Sequence, residues 1–166
     1  RAPSSMLKTP ATHAAAISPT LWPTTATGSM PHERQRAARA TCIAKIAGCN
    51  DCHTPGYAQS AGKVPEAAWL TGDMVGWSGE WGTTYASNLR LYMQAVSEDQ
   101  WMTLARTKEL RLPMPWFALR DMSDADLRAT YRYIRALGPA GQPAPAYVPP
   151  GKVVKGPAIV FPAAPK

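Results

Sequence analysis

Residues 49–53 read Cys49-Asn50-Asp51-Cys52-His53. Two thiols three positions apart, followed at once by a histidine, make a C-x-x-C-H spacing with a specific chemistry. Each thiol can form a thioether to one vinyl group of a porphyrin. The adjoining histidine then lies under the ring and ligates its iron. The spacing is therefore the attachment signature of a c-type haem, with Cys49, Cys52 and His53 as its binding residues and one covalent haem as the expected cofactor. Two other chemistries use paired thiols. A zinc site needs a second ligand pair, whereas the remaining cysteine is Cys42 and the remaining histidines, His13 and His32, lie in a polar N-terminal stretch. A thioredoxin-like redox pair needs a preceding strand and βαβ patterning, and what precedes Cys49 is Ala-rich and helical in pattern.

A sixth iron ligand would come from the seven methionines. Met114 sits in Leu112-Pro113-Met114-Pro115-Trp116, and two bracketing prolines exclude a regular helix interior. Such a loop is stiff and presents one thioether. Met122 stands directly before Ser123, a helix N-cap, where packing inward is the simpler role; Met74, Met93 and Met102 are weaker candidates. Met114 is the first candidate and Met122 stays open. With both axial positions filled, no place is left for substrate, and the chain is expected to carry electrons rather than to be an enzyme. An open position would instead suit a haem enzyme or gas sensor. The run from Trp81 to Arg90 is rich in hydrogen-bond donors, and Tyr85, Asn88 and Arg90 are its candidates for the haem carboxylates, because a guanidinium pairs well with a carboxylate.

The elements that must position these residues can be read from periodicity. Pro31 suits a helix first turn, and Ala40, Ile43, Ala44 and Ala47 recur at helical steps up to Gly48. Cys42 on this helix is expected to be a small buried residue. Residues 54–88 lack long periodicity and carry Trp69, Trp77 and Trp81 among several glycines, which reads as irregular loop packed around something large and flat. Ser97 with Glu98 and Asp99 opens a second helix bearing Trp101, Leu104 and Ala105. Ser123 opens a third, with Leu127, Tyr131, Ile134 and Leu137 as its apolar face and Gly138-Pro139 as its stop. The seventeen prolines concentrate at the ends. This divides the chain into an irregular N-terminal arm (1–31), a folded middle (32–138) and an extended C-terminal arm (139–166). That arm can lie along the body through Val153, Val154, Ile159, Val160 and Phe161, or be free. The formal net charge of +7 favours acidic partner surfaces. No basic run or basic-aromatic interleaving suggests nucleic acid, and no apolar stretch is long enough to span a bilayer.

In this order of parts the chain resembles the class I cytochrome c domain over residues 35–138. The likeness rests on Cys49-Asn50-Asp51-Cys52-His53-Thr54-Pro55, Leu112-Pro113-Met114-Pro115, and Met122-Ser123-Asp124-Ala125-Asp126-Leu127 through Tyr131, Tyr133 and Leu137. With Tyr85-Ala86-Ser87-Asn88-Leu89 it resembles more narrowly the cytochrome subunits and partners of periplasmic alcohol, aldehyde or sugar-acid dehydrogenases. The resemblance implies an all-α class I cytochrome c fold, three or four helices around one covalent haem, with the first and last helices crossing near Cys42. It implies His53 and Met114 as iron ligands, and one-electron transfer from a dehydrogenase or other donor to a respiratory acceptor. The alternative is a haem subunit held within a larger oxidoreductase complex. Covalent haem attachment also implies export, so a periplasmic location with the leader removed is expected. Those subunits often carry three haem domains; this chain has one attachment motif.

Overall fold

Two helices far apart in sequence form the frame. α1 (His32–Ile46) crosses α6 (Asp124–Leu137). The computed structural model describes residues 32–163, and the arm 1–31 lies outside the described residues. Ala40 and Ala44 are fully buried where α1 meets the core, and their short side chains let the two backbones approach closely. α6 buries Leu127, Tyr131 and Ile134, as its spacing predicts, together with Ala129, Thr130 and Tyr133. Ser123 caps it, accepting from the Asp126 amide, and Gly138 ends it. Cys42, by contrast, is exposed. The alanines form the buried stripe of α1, and Cys42 is turned away from it.

Between these helices the chain makes four more. α2 (Cys49–His53) follows Gly48, whose left-handed backbone (φ 72°) turns the chain sharply out of α1. α3 (Leu89–Ala95) is capped by Asn88. α4 (Glu98–Thr107) starts at a reciprocal capping box of Ser97 and Gln100. α5 (Trp116–Asp121) begins directly after the methionine loop. α3 and α5 are too short to show a helical period, so the expected three or four helices become six among the described residues. Glu98 ties α4 to α6, accepting from Arg128 and Arg132 at 2.8 Å each. Among the described residues no helix is long and apolar enough to cross a membrane.

The all-α expectation is overturned by a three-stranded mixed sheet. β1 (Gly76–Gly79) and β2 (Gly82–Tyr85) form an antiparallel hairpin, and β3 (Ala158–Val160) adds parallel to β1, in the order β2-β1-β3. The hairpin lies inside the stretch read as irregular loop. Its strands are four residues each and glycine-rich, too short for alternation to mark them. The third strand comes from the proline-rich C-terminal arm, which packs along the body. The Val148 backbone pairs with Thr83, the Tyr147 hydroxyl donates to the Trp81 carbonyl at 2.7 Å, and Phe161 packs on Trp77 and Trp81. Of the five expected contact residues Phe161 is packed in this way, while Val153 and Val160 remain largely exposed.

Enlarging Ala44 should force the α1–α6 crossing apart. Ala44→Leu is expected to lower stability by about 1–3 kcal/mol, read as a lower urea midpoint. The arginines beside Glu98, Arg132 first, hold its carboxyl below the usual carboxylate range. A depressed pKa contributes stability above the unfolded value that is lost as pH falls through the folded one. The stability gap between wild type and Arg132→Gln should therefore be present near about pH 7 and close toward about pH 2 in paired urea titrations.

Candidate functional site

α2 is a little over one turn long, so Cys49, Cys52 and His53 fall on one side of it at three- and four-residue spacing. All three open onto a single cavity of about 360 Å³, open on one side and walled by α3 to α6, the β1–β2 hairpin and the loops between them. α3 and α4 contribute Leu89, Tyr92, Trp101 and Leu104 to its walls, and α6 contributes Thr130 and Ile134. The hairpin adds Trp77 and Tyr85, the proline loop adds Met114, and α5 ends at Met122. The lining is predominantly apolar.

His53 is 8 % exposed, and its Nδ1 lies 2.8 Å from the Ser87 carbonyl oxygen. A carbonyl can only accept, so Nδ1 carries the proton and Nε2 keeps its lone pair. Burial pushes the imidazole pKa down, against the raising effect of the Ser87 bond, which keeps the ring neutral. A neutral imidazole with Nε2 free is a metal ligand, and a carbonyl on the opposite nitrogen orients it. Its own backbone is pinned too: the His53 carbonyl accepts from Gly72 at 2.8 Å. Next to it, the Thr54 hydroxyl donates to Asn50 and accepts from the Leu70 amide.

Burial pushes the Cys49 thiol up to about 11, and burial likewise raises Cys52, with Asp51 adding to both. Such thiols are held in the protonated form, unlike the low-pKa nucleophile of a dithiol oxidoreductase. Met114 and Met122 both line the cavity and both are half-buried. Among the described residues there is no cluster of three or more His, Cys, Asp or Glu side chains able to hold a bare metal ion.

Of the three residues expected at the haem carboxylates, Tyr85 lines the cavity. Asn88 and Arg90 are directed elsewhere. Asn88 donates to the Ala140 and Gln142 carbonyls. Arg90 is 5 % exposed and donates to the carbonyls of Ala67, Gly138 and Leu137. A buried guanidinium needs several acceptors, and the ends of two chain segments supply them. The cation at the cavity is Arg111, stacked over the Tyr147 ring at 4.1 Å. Sequence reasoning passed over Arg111, although it stands three positions before Met114. Nothing local marked Tyr147, which reaches the site only because the C-terminal arm folds back. Trp69, expected beside the site, is a core residue set edge-on to Tyr57, while Trp77 does line the cavity.

Thr130 supplies a further observation. It lines the cavity at 3 % exposure, and its hydroxyl has no hydrogen-bond partner in the protein. Leaving such a group unpaired costs about 1–3 kcal/mol, so the site suits an occupant or water that offers it one. Compared with protein-family models, curated proteins and solved structures, the chain matches none of them.

The three cysteines should differ in reactivity where their thiols are free. Cys42 is exposed, whereas Cys49 is half-buried and weakly acidic. Iodoacetamide at about pH 8 should label Cys42 first and Cys49 last, by a factor of at least about ten, because the thiolate is the nucleophile. Peptide mapping over time checks the order, and equal rates would contradict the burial described.

Proposed function

We propose that the chain is a single-haem c-type cytochrome that carries one electron at a time between a periplasmic dehydrogenase, or another donor, and a respiratory acceptor. The observation that carries this reading is the convergence of Cys49, Cys52, the free Nε2 face of His53 and the Met114 thioether on one apolar cavity. The residues fit the group. The two thiols answer the two vinyl positions, and the apolar walls suit the porphyrin faces. Arg111 and Tyr85 offer a cation and a hydroxyl for its carboxylates.

When bound, haem supplies the one-electron exchange between two iron oxidation states. The chain's own groups do the rest. His53 presents a neutral donor nitrogen in a fixed orientation, and Met114 offers a soft thioether that favours the reduced metal. Trp77, Tyr92, Trp101 and Ile134 line the cavity with apolar surface, which would lower the dielectric around a bound haem. Were His53 and Met114 both to hold that iron, the protein would be an electron carrier without a reaction of its own. Its formal charge of +7 would steer it toward an acidic redox partner, whether free or as a subunit of a larger complex.

A visible spectrum of protein matured in a host that attaches haem c tests the reading. Sharp reduced bands that carbon monoxide leaves unchanged, and a weak far-red band in the oxidised state, are the expected result. Met114→Ala should abolish the far-red band and admit carbon monoxide, while Met122→Ala should keep both wild-type properties; the reverse would move the ligand to Met122. Carbon monoxide binding by the wild type would point to an open-site enzyme or sensor. Absence of covalent haem would overturn the proposal.

A further inference from the structure

The bond that orients His53 is made to a backbone carbonyl, which leaves open what orients that carbonyl. Ser87 C=O and Asn88 N–H belong to one planar peptide unit, so whatever holds Asn88 sets the direction of the oxygen facing His53. Asn88 is 4 % exposed and its side chain is fully engaged. Both of its amide protons are donated, to Ala140 O at 2.8 Å and Gln142 O at 3.1 Å, and its Oδ1 accepts from Leu91 N at 3.0 Å. On the other side of Ser87, the Ala86 carbonyl accepts from Asp73 N at 3.1 Å, and the neighbouring Gly72 amide donates to the His53 carbonyl. The Ser87 carbonyl is thus clamped between residues 72–73 and residues 140–142 of the C-terminal arm.

We propose that Asn88 is a positioning residue for His53, acting through the Ser87 carbonyl, and that residues 140–142 are part of the support of that histidine. The proposal rests on the reading of His53 as a ligand through Nε2. No other side chain of this size makes the same three bonds: aspartate when ionised cannot donate, and leucine neither donates nor accepts. Arg90 provides the internal comparison. It ties down the end of α6 just before that arm, at Leu137 and Gly138, but from a position outside the Ser87 peptide unit.

Asn88→Ala removes the clamp. Gly141→Ala attacks it from the other side: Gly141 has φ +74°, and an added Cβ would stand 3.0 Å from Asn88 Nδ2 and from Thr71 Cβ. Arg90→Gln removes the guanidinium's bonds to Ala67, Leu137 and Gly138 and leaves those of Asn88 in place. The readout is solvent exchange of the His53 Nδ1 proton, followed by NMR in the reduced protein, with thermal stability measured alongside. Asn88→Ala and Gly141→Ala should each accelerate exchange at least about tenfold, and Arg90→Gln less than about twofold even where it lowers stability comparably. The reduction potential should rise in the first two, because a less strongly hydrogen-bonded imidazole is a weaker donor to the oxidised metal. Unchanged exchange in both variants overturns the proposal, as does equal acceleration in Arg90→Gln, which would make the effect a general loosening around α3. Should Asn88→Ala not fold, Gly141→Ala against Arg90→Gln still decides it. If the chain carries no covalent haem, the function proposed above fails, and Nδ1 exchange on that haem-free chain tests the Asn88 clamp separately.

Discussion

A shared pocket of about 360 Å³, walled by apolar side chains from most of the fold, is the constraint on which the rest of this structure depends. Protein cores are normally packed as tightly as organic crystals. Here α2, α3, α4, α5, α6, the β1–β2 hairpin and the C-terminal arm each direct apolar side chains at a shared space. Trp101 shows how the elements are spaced around it. Its indole donates to the Leu127 carbonyl, joining α4 to α6 across the cavity wall, while its ring faces inward. Thr130 adds a hydroxyl that lacks a protein partner in the same wall.

A cavity of this kind requires its surroundings to be rigid without filling it. The chain meets that need largely with buried polar groups bonded to backbone carbonyls. Arg90 gathers three carbonyls and Asn88 two, binding the segment after α6 to the start of α3. Tyr131 donates to the Val96 carbonyl and Tyr133 to Glu66, so α6 is tied to the loops on either side of it. These bonds connect irregular segments that lack long helical faces of their own. Fully satisfied networks of this sort specify one arrangement, since each lost partner strands a buried group.

The C-terminal arm shows the same economy. Its prolines prevent it from forming a helix, yet its remaining backbone groups complete a sheet and a bridge, and Tyr147 and Phe161 pack onto the hairpin. It also brings Tyr147 beneath the Arg111 guanidinium at the cavity wall. A segment that composition marks as extended thereby becomes part of the candidate site. Pro145, from the same segment, lines the cavity as well.

What the sequence determined by itself was local. The C-x-x-C-H spacing, the proline-bracketed Met114, the caps at Ser97 and Ser123 and the apolar period of α6 are each written within a few residues, where chemistry and helix geometry act directly. The tertiary structure alone decided the sheet, because β3 pairs with a strand about eighty residues earlier and backbone pairing leaves little trace in side-chain pattern. It also decided which basic residue meets the cavity. Arg90 and Arg111 carry the same charge, and only the fold buries one among carbonyls and sets the other at the wall. Cys42 follows the same logic: residue type favours burial, but the close approach of α1 and α6 is made by Ala40 and Ala44, and a helix has only one face to give to a crossing.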